Sequence, residues 1–153
     1  MEINAENMLF DRLNALVKAS SDKKIIIRNV LGQRYIASGA ENKEILIYGV
    51  AGNALGAYLS NTLVKVYGNA QDAAGDTMNS GSITVFGHAG DTIGYAMRGG
   101  TIMVEGDAGF RVGIHMKEYG SHVPKIIIGG KAGDFLGEYQ AGGIILVLGI
   151  GYE

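Results

Sequence analysis

Three histidines, His88, His115 and His122, are the side chains best suited to hold a metal or to move a proton near neutral pH. They stand in no HExxH or comparable spacing, so the sequence offers no zinc site. Ser121 precedes His122, but a serine nucleophile needs a strained elbow of the G-x-S-x-G kind, and the sequence has none. There is no cysteine, which removes disulfides, thiolate zinc ligation, iron–sulfur ligation and a cysteine nucleophile together. Asn53, Asp72, Asp91 and Asp134 recur at one place in a repeat and would line up as a carboxylate ladder. They read instead as turn residues that bond their own backbone. Runs of the form G-x-x-G-x-x-x-G resemble a phosphate cradle. They recur along the chain without a strand–GxGxxG–helix or GxxxxGK[ST] context, so a nucleotide site does not follow. The nonapeptide repeat of a calcium β-roll is also missing.

The glycines make sense as architecture. Gly49, Gly68, Gly87, Gly106, Gly130 and Gly149 are evenly spaced, apart from one longer interval between Gly106 and Gly130. A fixed period of roughly 20 residues means that one structural unit is stacked on itself. At four and two positions before each marker stand Ile45/Ile47, Val64/Val66, Ile83/Val85, Ile102/Val104, Ile126/Ile128 and Ile145/Val147. Alternating β-branched residues at matched positions describe the inward face of a strand in every unit. Small residues follow: Ala51, Ala70, Ala89, Ala108 and Ala132 two after the marker, and Gly56, Gly75, Gly94, Gly113 and Gly137 seven after it. Leu59, Met78, Met97 and Met116 stand ten after it and are expected to fill the interior.

One strong strand in so short a period is too little for a propeller blade, which takes about 40–45 residues. The pattern predicts a mainly β protein: a single-stranded, right-handed parallel β-helix of about seven coils. Residues 25–39 read as a worn first coil, and residues 23–153 as the β-helix domain. Residues 1–22 read as a helical segment of the same domain. Leu9, Leu13, Leu16 and Val17 predict a helix over 4–20 with Asn4 as its N-cap.

Composition narrows the function classes. With 47% apolar residues the chain has enough material for a core, and the net charge of −2 gives no footprint for nucleic acid. No signal peptide or uncharged membrane-spanning run is read, so a cytoplasmic protein is expected.

Partner contacts are expected where the outer surface or the repeat is unusual. The outward positions Tyr48, Tyr67 and Phe86 form a row that is either covered by the helix or a loop, or offered to a partner. The coil after Gly106 is longer than the others and gathers His115, Lys117, Glu118, Tyr119 and His122, with Arg98 and Arg111 close in sequence. Insertions in a solenoid become loops on one face. This one reads either as a solvated loop or as a contact surface for another polypeptide.

The ordered coils also carry a family resemblance. GVAGNALGAYLSNTLVKVYGNAQDAAGDTMNSGSITVFG, residues 49–87, resembles the C-terminal GXGXG domain of the large subunit of glutamate synthase. RNVLGQRYIASG, residues 28–39, is similar to the segment leading into that domain. GYAMRGGTIMVEGDAGFRVGIHMKEY (94–119) and GDFLGEYQAGGIILVLG (133–149) look like its stand-alone version. The resemblance implies a structural role with no catalytic, cofactor-binding or metal-binding residue of its own. The implied partners are a glutaminase chain and a synthase chain carrying FMN and iron–sulfur clusters; a homo-oligomer is also open. The C subunit of formylmethanofuran dehydrogenase uses the same coil and implies a similar role in another oxidoreductase.

Overall fold

A computed structural model describes residues 1–152. The strands are β1 (Glu2–Asn4), β2 (Lys24–Leu31), β3 (Glu44–Val50), β4 (Thr62–Tyr67), β5 (Gly81–Val85), β6 (Thr101–Val104), β7 (Lys125–Ile128) and β8 (Ile144–Val147), with the helix α1 (Phe10–Ala19) after β1. The eight strands form one parallel sheet in chain order, so each connection is one turn of a β-solenoid. The register follows the period: Ile45 pairs with Val64, Val64 with Ile83, Ile83 with Ile102, Ile102 with Ile126 and Ile126 with Ile145.

Stacking identical columns builds the core. Ile45, Val64, Ile83, Ile102 and Ile126 are fully buried, and so are Leu59, Met78, Met97 and Met116 across the interior. Each buried side chain of this size contributes roughly 1.5–3 kcal/mol. In the last coil other inward columns lie bare: Leu136 is 46% and Val147 36% exposed, where their counterparts Leu55 and Val66 are fully buried.

Two backbone devices let the coils stack. The marker glycines form a spine, in which Gly87 donates its N–H to Gly68, Gly106 to Gly87, Gly130 to Gly106 and Gly149 to Gly130, each at 2.9 Å. The second device lies in the turns, where left-handed backbone is not confined to small residues. Tyr35, Ala54, Ala73, Thr92, Arg111 and Phe135, five after the marker position, all have φ between 55° and 63°. Left-handed backbone costs an L-residue about 1–2 kcal/mol. It recurs here because it flips the peptide: Ala54 and Ala73 donate forward to Asp72 and Asp91 at 2.9 and 2.8 Å. Two residues on, Gly56 and Gly75 donate backward to Ile36 and Leu55 at 2.8 Å. Alternate N–H groups thus point up and down the stack, and none of these four is left unpaired.

The N-terminal segment differs from the expectation. Residues 2–4 are strand, paired with Ile26–Arg28 of β2, and the helix begins only at Phe10. Asn4 is no N-cap: its Oδ1 accepts the Glu6 N–H and the Asn29 side-chain amide, at 3.1 and 2.9 Å. The residue before the helix is Leu9, which supplies no side-chain cap. The helix buries Leu13 and Val17 and anchors to the first coil through Asn14 Nδ2, which donates to the Arg34 carbonyl at 2.8 Å. It thereby covers the N-terminal end of the stack and not the outer sheet face.

Gln33 holds this cap in place. It is buried, donates from Nε2 to the carbonyls of Ala5 and Met8 at 3.1 and 3.0 Å, and accepts the Leu31 N–H at 2.7 Å. Gln33→Ala strands these backbone groups. It is expected to cost about 1–3 kcal/mol in chemical denaturation, with hydrogen exchange rising first at Leu31, whose N–H loses its acceptor.

Candidate functional site

The structure divides the sequence candidates among three places. The first is the outer sheet face. Tyr48 in β3, Tyr67 in β4 and Phe86 just past β5 stand one above another, with ring centroids 4.7 and 5.0 Å apart and planes tilted by 16° and 12°. The Arg28 guanidinium closes the N-terminal end of this stack, 4.7 Å from the Tyr48 ring centre. Glu2 raises the Arg28 pKa above its ordinary value, first by a side-chain hydrogen bond and then by its charge. Tyr67 and Phe86 remain 39% and 41% exposed.

The second place is the inserted segment after Met116. Tyr119 and His122 exchange backbone hydrogen bonds of 3.1 and 3.0 Å, so the extra residues form a tight turn at Gly120–Ser121. Glu118 faces the next coil and accepts the Gly143 N–H at 2.9 Å. Arg98 stands 4.3 Å from the Tyr119 ring centre, and Lys117 Nζ stands 5.2 Å from it. Arg98, Lys117, Glu118, Tyr119 and His122 therefore lie together. His122 and Ser121 are both exposed.

The third place takes two residues that looked like neighbours of the loop. Arg111 sits at the opening of the turn, 4.6 Å over the Phe135 ring and 3.8 Å from the Glu138 carboxylate. His115 stacks on Tyr139 at 5.0 Å and meets Tyr95 edge-on at 5.8 Å. Sequence nearness misleads here because each coil turns corners, and a few positions along the chain lead to a different side of the solenoid.

The polar columns are spent on the stack. Asn53 Oδ1 accepts the Asp72 N–H at 2.9 Å, Asp72 accepts that of Asp91, and Asp91 that of Phe110, both at 2.8 Å. These residues bond the backbone of the next coil and not their own, contrary to the turn reading. A parallel column runs from Asn69 Oδ1 to the His88 N–H, from His88 Nδ1 to the Asp107 N–H and from Asp107 Oδ1 to the Lys131 N–H, at 2.8, 2.8 and 3.0 Å. His88 thus uses Nδ1 as an acceptor in this column. The repeat interval itself marks these columns, since residues one period apart are stacked neighbours. Among the described residues no group of three His, Cys, Asp or Glu side chains is placed to hold a metal ion. None of their helices is long and apolar enough to cross a membrane.

Asp107 also ties down the end of the chain. The Tyr152 hydroxyl donates to Oδ2 at 2.6 Å while Lys131 Nζ lies 4.8 Å from the Tyr152 ring centre. The Asp107 carboxyl is held below its ordinary pKa, first by Tyr152 and then by the Lys131 N–H. The same hydrogen bond raises the Tyr152 phenol. A depressed carboxyl stabilises the fold above its unfolded pKa and loses that effect as acid protonates it. A raised phenol stabilises below its unfolded pKa and loses the effect as base ionises it. This hydrogen bond is therefore kept through neutral pH and weakened at both extremes. Asp107→Asn is expected to bring the Tyr152 pKa, followed by NMR of its ring protons, back down toward the usual tyrosine value. An unchanged titration would separate the two groups.

The repeat, its glycine spine and its inward columns extend over almost the whole chain, and the GXGXG motif family model matches residues 19–151. The chain belongs to this family. Its repeat is thus that of the GXGXG domain of the glutamate synthase large subunit, as the resemblance implies. Among curated proteins, an uncharacterized protein of Methanocaldococcus jannaschii is 48% identical over 155 residues, covering 97% of this chain. The chain spans 59% of the length of that relative. No solved structure matches the chain.

Proposed function

We propose that this GXGXG chain is a non-catalytic structural subunit of a multi-chain glutamate synthase in the cytoplasm. It braces a glutaminase chain against a synthase chain that carries FMN and iron–sulfur clusters. Family membership over residues 19–151 carries the reading. The chemistry of the chain supports it. The carboxylates and amides of the two polar columns are engaged with the next coil, and the chain has no cysteine for a glutaminase nucleophile or a cluster. A stack hydrogen-bonded coil to coil is a stiff strut, and it displays separate aromatic surfaces on its sides.

The test is reconstitution. The glutaminase and synthase chains are assayed for glutamate formation from 2-oxoglutarate, with glutamine or with free ammonia, with and without this chain. Bracing predicts that the chain raises the glutamine-driven rate and leaves the ammonia-driven rate nearly unchanged. No physical association with either chain would defeat the proposal. Co-purification with molybdopterin or tungsten subunits would move the chain to the formylmethanofuran dehydrogenase type of assembly.

A further inference from the structure

The inserted turn differs from every other corner of the solenoid in shape, charge and anchoring. It is closed and anchored: Tyr119 and His122 close it by paired backbone bonds, Glu118 ties its base to Gly143, and Pro124 is buried at its exit. Anchoring of this kind lowers the entropy lost when something binds the turn. On it Tyr119 is 40% exposed, with Arg98 and Lys117 both against its ring and both exposed. Among the described residues neither cation has a carboxylate within ion-pair distance. The nearby Glu118 turns one carboxylate oxygen to the Gly143 N–H and forms no ion pair with either cation. Two cations without an ion-pair partner, flanking one aromatic ring, suit an anionic partner with an apolar portion. Tyrosine and arginine are also the residues that most often anchor protein interfaces. Nucleic acid fits poorly, because the chain is net negative and this is a local pair of cations.

We infer that the Arg98–Tyr119–Lys117 cluster is a docking site for an acidic segment of another polypeptide. The segment's carboxylates pair with Arg98 and Lys117, and an apolar or aromatic side chain lies on Tyr119. Resting on the glutamate synthase reading, the inference assigns this site to one of the two partner chains. The Tyr48–Tyr67–Phe86 face, which carries Arg28 at one end, is left as a separate surface.

The experiment measures, by calorimetric titration, binding of the glutaminase chain and of the synthase chain to the wild type and to an R98E/K117E variant. Arg12→Glu, on the exposed side of α1 and away from both surfaces, is the control, and melting curves confirm that the variants fold. One chain is expected to bind the wild type and the control alike, and the double reversal about tenfold or more weaker. Tyr119→Ala is expected to weaken the same chain, with less change in salt dependence than the reversal causes. Equal binding of both chains to wild type and reversal would overturn the inference. If neither chain binds the wild type, the glutamate synthase reading fails, and poly-L-glutamate then decides this site. Binding to the wild type that the reversal abolishes keeps the acidic-segment inference; no binding, or equal binding, overturns it.

Discussion

Gly49→Ala is expected to cost about 3 kcal/mol or more, whereas Gly149→Ala, at the same place in the repeat, costs about 1–2 kcal/mol. Gly49 has φ of 126°, and a methyl group there would overlap the backbone carbonyl of Val30 in the preceding coil. Backbone on backbone cannot be relieved by a rotamer change, so the two coils must part. Gly149 has φ of 65° and nothing within 4 Å of the added carbon, so only the left-handed backbone is penalised. For a chain of this size each kcal/mol lowers the melting temperature by roughly 2–4 °C. Thermal unfolding of the two variants side by side is the measurement. Equal shifts would mean that the spine is not held by close approach.

Leu55→Ala is expected to cost about 2–5 kcal/mol and Leu136→Ala less than about 1 kcal/mol. The two leucines occupy one column, each at the same place after its marker glycine. Leu55 is fully buried between coils, and its truncation leaves a cavity that a rigid stack cannot close. Leu136 is 46% exposed at the last coil, where solvent already meets its side chain. Urea unfolding gives both numbers. A large loss at Leu136 would show that its side chain is covered in solution.

Particular residues show how far a local reading goes. The Ile/Val ladder and the Leu/Met column are legible because every coil repeats them, and each repetition is buried by its neighbour. The start of the helix is not legible. Ile3 and Ala5 fit either period, and Glu2–Asn4 become strand only because β2, on the far side of the helix in sequence, offers them an edge. Tyr35, Arg111 and Phe135 give no sign of left-handed backbone, since nothing in a bulky side chain asks for it. The inter-coil hydrogen bonds impose it. The same holds at Asp72 and Asp91, whose partners are backbone groups one coil away. Of the candidate contacts, the aromatic row follows directly from the register, and Arg98 meets Tyr119 across one coil boundary. Arg111 and His115, nearer to the loop in sequence, are carried off to the turn beside Phe135 and Tyr139.

By itself, the sequence determines the period, the parallel stacking, the inward columns and the family, because a repeat states the same burial pattern over and over. Only the tertiary structure decides which glycines are indispensable, which end of the stack is capped, where the polar columns spend their hydrogen bonds and which cations stand unpaired beside Tyr119. The reason is physical: these depend on what the adjacent coil places within a few ångströms, and residues identical in the repeat have different neighbours in the stack.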